Sequence, residues 1–319
     1  LLFVVLAFTS PSFLSLQNGA NILDQSSVLL ILAATTTVCI IAGIFDLSIA
    51  AVATASAIMT VNAINAVGLL GGVILGVLFG GLLGLITGVA ITKTNVNSFI
   101  GTLNKAFLSG LTTESLVLDI PDSLFLTFQM TFAIITPALI TGATADRLKF
   151  AGYAAFIGAW LLLIYAPVAH WAFAGGWIAE MGAFDFAGGL VVHINAGAAA
   201  LGVLLVIGAR KGHGKEPMPP HALPWTLLGT GILWFGWFGF NAGSALGANG
   251  VAAQALLNTL IAPAAAMLGW LIVEKIKGKH VTTLGAASGA VAGMVAITPC
   301  AGFVGTMPAL IIGFLAGVV

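Results

Sequence analysis

Asp185 and His193 stand eight residues apart in the stretch Asp185-Phe186-Ala187-Gly188-Gly189-Leu190-Val191-Val192-His193, an acid at the head of an apolar span and an imidazole inside it. On a continuous helix rising about 1.5 Å per residue, His193 falls ~12 Å below Asp185, near mid-membrane if the span starts at the surface. An ionisable group at that depth is costly and marks a functional site by default. A carboxylate at a helix start caps free amides and suits the positive dipole end, and near a channel mouth it also attracts cations. A neutral imidazole donates and accepts at once, so it can hold a small polar molecule or relay a proton. Across ~12 Å the pair cannot share a proton directly, which argues against an acid–base enzyme. No HExxH, phosphate-binding glycine loop or nucleophile elbow occurs, and no enzymatic activity is expected.

The elements that position these groups belong to a membrane. Hydrophobic residues make up 60% of the 319 and charged residues 6%, with a mean hydropathy of +1.13. A soluble domain carries roughly a quarter of its residues as charges, so the composition reads as polytopic. The net charge of zero says nothing about nucleic-acid or acidic partners, and no nucleic-acid partner is expected. Cys39 and Cys300 lie far apart in apolar segments with no metal or redox spacing, and neither a cofactor nor a metal is expected.

Seven apolar segments follow residue 124, at about 125–145, 150–173, 188–208, 223–241, 251–273, 283–299 and 307–319. Basic residues sit on alternate connections: Arg147 and Lys149, then Arg210, Lys211 and Lys215, then Lys275, Lys277 and Lys279. The intervening connections hold Glu180 and Asp185, then 241–249, then 302–307, without Lys or Arg. The positive-inside rule makes the three basic loops cytoplasmic and puts Asp185 outside, with His193 below it. Gly285, Gly289 and Gly293 recur at intervals of four and read as a close-packing stripe, as do Gly72, Gly76, Gly80, Gly84 and Gly88. Lys93 and Lys105 fall on the outer side and depart from the charge rule that the rest of the chain follows.

From about 104 to 319 a series of motifs runs in order. Phe-Gln-Met-Thr-Phe at 128–132 leads through Thr136-Pro137-Ala138-Leu139 to Ala145-Asp146-Arg147, and Ala166-Pro167-Val168-Ala169-His170-Trp171 follows. Next come Asp185-Phe186-Ala187-Gly188-Gly189, His193-Ile194-Asn195 and Arg210. The run closes with Trp234-Phe235-Gly236-Trp237-Phe238-Gly239-Phe240-Asn241-Ala242-Gly243-Ser244 and Leu284-Gly285-Ala286-Ala287-Ser288-Gly289. In these motifs and their spacing the chain resembles the ammonium transporter family (Amt/Mep/Rh).

The resemblance implies an all-α bundle of membrane-spanning helices, a transport function for ammonium or ammonia, and specific roles for residues. Phe132, Phe173 and Ser244 would form an outer recruitment site, where aromatic faces and a hydroxyl replace water around a cation. Phe173 stands where the family usually has Trp, which implies a weaker cation–π contact; Trp171 is two residues away but would face elsewhere on a helix. Phe132 and Phe240 would stack as a gate, with His193 and Trp237 in the pore beneath. Phe128 and Gln129 are further wall candidates, and Asp185 is read as a structural cap at the mouth. The family pairs its pore histidine with a second one, which has no counterpart in this sequence; His213, His221 and His280 lie in cytoplasmic loops, and His170 does not match that position. A homotrimer and a PII signalling partner at the cytoplasmic loops are also implied, although the tail that joins in that contact is not in this sequence.

Residues 1–103 look different. Phe13-Leu14-Ser15-Leu16-Gln17-Asn18, Gly43-Ile44-Phe45-Asp46-Leu47-Ser48 and Phe99-Ile100-Gly101-Thr102-Leu103 resemble the membrane permease of a sugar-type ABC importer. This suggests two parts, 1–103 and 104–319, with a join near Leu103–Lys105 and an ammonium-transporter fold lacking its first and last helices. Both ends read as cut. The alternatives are an ABC permease subunit, for which 104–319 offers no coupling segment, and a non-functional fusion fragment.

Overall fold

The computed structural model describes residues 97–102, 109–112, 114–118, 120–220, 222–278 and 280–319, all within one compact unit, Gly81–Val319. A two-residue antiparallel pair, β1 (Leu116–Val117) and β2 (Ile120–Pro121), leads into the helices. The sequence reading held no strand there; Leu118 at φ +53° makes the turn that joins the pair. Helix α1 (Asp122–Thr144) follows, then α2 (Phe150–Trp160) and α3 (Ala166–Phe173), joined by a π-helical turn at Leu161–Tyr165. After the short α4 (Trp177–Glu180), a second π turn (Gly189–Ile194) opens α5 (Asn195–Ile207). Next are α6 (Leu223–Gly243), α7 (Gly250–Gly278), α8 (Thr283–Ile297) and α9 (Thr306–Val318). Each of the seven apolar segments coincides with one of these helical stretches.

Five stretches among the described residues are long and apolar enough to cross a membrane: Asp122–Thr144, Phe150–Glu180, Gly189–Ile207, Gly250–Gly278 and Thr283–Cys300. Helix α6 has 21 residues, about the length a crossing needs, but its three tryptophans and five glycines make it less apolar. Large apolar side chains point away from the bundle, among them Leu163, Leu205, Val206 and Phe235. In water such a surface would be a liability; in lipid it is the solvated face.

Two basic loops meet at one end. Arg210 pairs with Asp146 at 2.5 Å, and Arg147 donates to the Gly208 carbonyl at 2.8 Å. Lys275 and Lys277 occupy the last turn of α7 and suit the negative dipole end. Nearby, both carboxylate oxygens of Glu274 accept from Thr282, which caps α8 by accepting from Gly285 N–H.

Lipid gives apolar side chains no reason to leave it, so helices associate through close packing. The face of α7 that carries Ala255, Ala262 and Ala266 is fully buried. Across it, a Cβ on Gly293 would meet Pro263 Cα and Ala266 Cβ at 2.6 Å, and one on Gly289 would meet Met267 Cα at 2.9 Å. From the other side Gly313 and Gly317 of α9 lie against the backbone of Ala262 and Ala266. The stripe at 72–88 lies outside the described residues.

Gly142, by contrast, is exposed, and a Cβ there meets nothing within 4 Å among the described residues. Gly293→Ala should therefore lower stability by about 1–3 kcal/mol through overpacking. Gly142→Ala should be neutral or stabilising by up to ~1 kcal/mol from helix propensity. Thermal unfolding of the two variants in one detergent checks the contrast, and equal shifts would remove the packing argument.

Candidate functional site

The span that carries His193 does not start where its acid stands. Residues 185–188 are non-helical and the first helical residue is Gly189. The continuous helix from Asp185 to His193 expected from sequence is therefore absent. The reason is the cap itself. Asp185 Oδ1 accepts from Gly188 N–H at 2.8 Å, and Oδ2 accepts from Leu190 and Val191 N–H, both at 3.0 Å. The carboxylate thus folds over the first turn and satisfies donors that would otherwise be orphaned at a helix start. Burial pushes the Asp185 pKa above the ordinary carboxylate value, and these backbone donors pull against it.

Gly188 makes the fold-over possible. Its φ is +100°, and a Cβ would meet Val192 at 2.8 Å and the Phe132 ring at 3.2 Å. The turn that Asp185 holds is thus packed directly against Phe132. Immediately after it the backbone takes a π turn, with His193 N–H bonded to the Gly188 carbonyl five residues back at 3.1 Å. A π turn shifts the direction of the following side chains relative to an α-helix and recurs at functional sites. Nothing in the sequence marked it.

Four segments then bring rings into one column. Phe173 from α3 meets Phe132 from α1 edge-on at 5.8 Å, and Phe128 meets Phe132 edge-on at 4.9 Å. Phe132 and Phe240 of α6 stack at 4.4 Å and 20°. Below them His193 lies 6.2 Å from Phe240 and stacks on Trp237 at 5.1 Å and 19°. Phe132, His193 and Trp237 are all buried. Neither nitrogen of His193 has a hydrogen-bond partner among the described residues.

Ser244 follows α6 directly, one turn beyond Phe240, and donates its hydroxyl to the Phe240 carbonyl at 2.9 Å. A Cβ on neighbouring Gly243 would meet the Phe128 ring at 3.1 Å, so this end of α6 closes on α1. Gln129 is buried on α1 beside Phe128. Trp171 is turned elsewhere: its Nε1 donates to the Phe99 carbonyl at 2.9 Å and its ring neighbours Trp177. His170 is buried with Nε2 3.3 Å from the Asn97 carbonyl and does not join the column. His213 and His280 are exposed, and His221 lies outside the described residues.

Sequence reasoning missed a polar cluster behind Trp237. It consists of Asn241, Thr259 and Thr298, all fully buried. The available signal was a threonine followed by proline inside an apolar span.

Residues 28–319 match the Ammonium Transporter Family. An ammonium transporter of Bacillus subtilis (strain 168) is 51% identical over 225 residues, 70% of this chain and 55% of that protein. One from Mycobacterium tuberculosis (strain ATCC 25618 / H37Rv) is 54% identical over 208 residues, 62% of this chain and 44% of that protein. Among solved structures, Mep2 of Candida albicans aligns with a TM-score of 0.72 at 30% identity, covering 85% of this chain and 64% of that one. The chain thus spans about half the length of these curated relatives. The family match begins inside the 1–103 segment whose motifs resemble an ABC permease. Apart from 97–102, that segment lies outside the described residues.

The Asp185 cap generates a direct expectation. Asp185→Asn retains one acceptor oxygen and turns an amide N–H₂ toward backbone donors, so at least one donor is orphaned. A loss of about 1–2 kcal/mol should follow, and Asp185→Ala should cost at least as much. Denaturation in detergent checks this, and no loss in either variant would refute the capping role.

Proposed function

The chain belongs to the ammonium transporter family, and on that footing we propose that residues 104–319 carry ammonium across a cell membrane through the aromatic column. The observation behind this reading is the order of its rings: Phe173, then Phe132 stacked on Phe240, then His193 stacked on Trp237. A hydrated cation arriving at the Asp185 end exchanges water for the faces of Phe132 and Phe173 and the oxygen of Ser244. Such faces attract a cation by about 0.5–1 kcal/mol when exposed and ~2 when desolvated. Because the Ser244 hydrogen is committed to the Phe240 carbonyl, the oxygen offers its lone pairs, which suits an N–H donor.

Phe132 and Phe240 at 4.4 Å leave no room for a hydrated ion between them, so passage requires the rings to part for a molecule without its shell. Beyond them no side chain of the column bears a fixed charge. An unpaired ion there costs several kcal/mol. Ammonium can escape that cost by giving up a proton, and potassium cannot. His193, whose ring nitrogens bond nothing among the described residues, takes that proton itself or hydrogen-bonds the ammonia left after water at the mouth has taken it.

In this reading the loops bearing Arg147 and Lys149, Arg210 to Lys215, and Lys275 to Lys279 are cytoplasmic, and Asp185 is outside. A homotrimer with one pore in each copy, and a PII signalling protein at the cytoplasmic loops, are the assembly and partner that fit the family.

Methylammonium uptake into cells lacking their own ammonium transporters tests the function. Uptake above empty vector, abolished by His193→Ala with the protein still in the membrane, is expected; uptake equal to empty vector rejects it. Phe173→Trp should lower the concentration for half-maximal uptake about two- to fivefold, because Trp is the stronger cation–π partner. An unchanged half-saturation would remove Phe173 from recruitment.

A further inference from the structure

An imidazole without hydrogen bonds must be oriented by packing, and His193 stacks within 19° of the Trp237 indole. The indole is itself fixed. Trp237 Nε1 donates to Thr298 Oγ1 at 2.8 Å, and the Thr298 hydroxyl donates to the Met294 carbonyl at 2.7 Å. Asn241 Oδ1 lies 3.3 Å from the same hydroxyl. Asn241 Nδ2 donates to Thr259 Oγ1 at 2.9 Å, and that hydroxyl donates to the Ala255 carbonyl at 2.6 Å. Trp237, Asn241, Thr259 and Thr298 are at most 2% exposed.

The chain of donors has one direction. An indole nitrogen only donates, so Thr298 must accept from it and send its own single hydrogen to a carbonyl. Removing Oγ1 leaves a buried N–H with no acceptor, which favours another tilt of the ring.

The same short turn touches the other half of the stack. Thr298 opens the 3₁₀ turn Thr298–Cys300 at the end of α8. Pro299 beside it occupies the space a Cβ on Gly189 would need, and its carbonyl accepts Phe186 N–H at 2.9 Å. Gly189 begins the π turn that carries His193. Thr298 thus holds the indole while Pro299 holds the base of the segment bearing the imidazole.

We propose that Thr298 is a positioning residue for the pore, setting the plane of Trp237 and, through it, that of His193. The proposal rests on the reading of the column as the ammonium path, and its test includes a readout that does not depend on transport. Thr298→Val keeps the shape and removes the hydroxyl; Thr298→Ser keeps the hydroxyl. In detergent, the His193 ring protons of the parent, assigned by their loss in His193→Ala, should show the shift imposed by the indole ring current. That shift should collapse in Thr298→Val and persist in Thr298→Ser.

In uptake assays Thr298→Val should lower the maximal rate about tenfold with little change in half-saturation, and Thr298→Ser should restore it. In a Trp237→Phe background, Thr298→Val should cause no further loss, since the two act as one unit. An unchanged ring shift in a folded Thr298→Val protein, or losses that multiply in the double variant, would overturn the proposal. If Thr298→Val does not fold, Thr298→Cys, close in size and a weak acceptor, takes its place with the same expected direction. A parent with no uptake but a Thr298-dependent ring shift would reject the transport reading and keep the positioning role.

Discussion

Start an apolar span in lipid and its first amides have no water to bond with. That constraint governs this molecule, and Asp185 answers it by bonding three backbone N–H groups at the head of the His193 span. The fold-over demands a left-handed residue at 188, which glycine supplies, and the lack of a side chain there lets the Phe132 ring close in. The turn that follows leads into a π-helical segment, which sets where the imidazole points. One carboxylate therefore connects the head of the span to the ring stack and to the histidine beyond it. With both oxygens engaged by the backbone, its main contribution is structural.

The column works through what it lacks. Its side chains offer π faces and van der Waals surface, no fixed charge, and an imidazole whose nitrogens bond nothing among the described residues. On the proposed reading, a cation is welcomed at the end where Phe173 and Ser244 stand and is penalised beyond the Phe132–Phe240 stack. On that same proposed reading, selectivity follows from acid–base chemistry: a species that can drop a proton passes, and one that cannot does not. The buried polar cluster of Asn241, Thr259 and Thr298 stands behind Trp237, keeping a rigid indole at the imidazole without placing a charge in the path.

Elsewhere the bundle is held by smallness. Ala262 and Ala266 of α7 meet glycines from α8 on one side and α9 on the other, close enough that a methyl group would collide. Lipid supplies no hydrophobic drive for association, so dispersion across short interhelical distances replaces it. The outward faces keep Leu, Val and Phe, which need no partner there.

Much of this was legible beforehand. The seven apolar segments became helices because length and composition alone decide what can lie in a membrane. Two of the three basic loops meet at a shared end, where Arg147 and Arg210 contact Gly208 and Asp146. The ring residues were named from family motifs, not from periodicity, since one phenylalanine of twenty looks like another. What sequence could not supply was how the chain departs from regular helix. It implied one continuous helix from Asp185 to His193, where the chain forms a capped turn and a π segment. Nor did it single out Thr298, 61 residues from Trp237. A sequence determines which side chains can live in lipid, because that is a property of each residue. Which of them touch is decided only in three dimensions, where backbone satisfaction and close packing choose the turns.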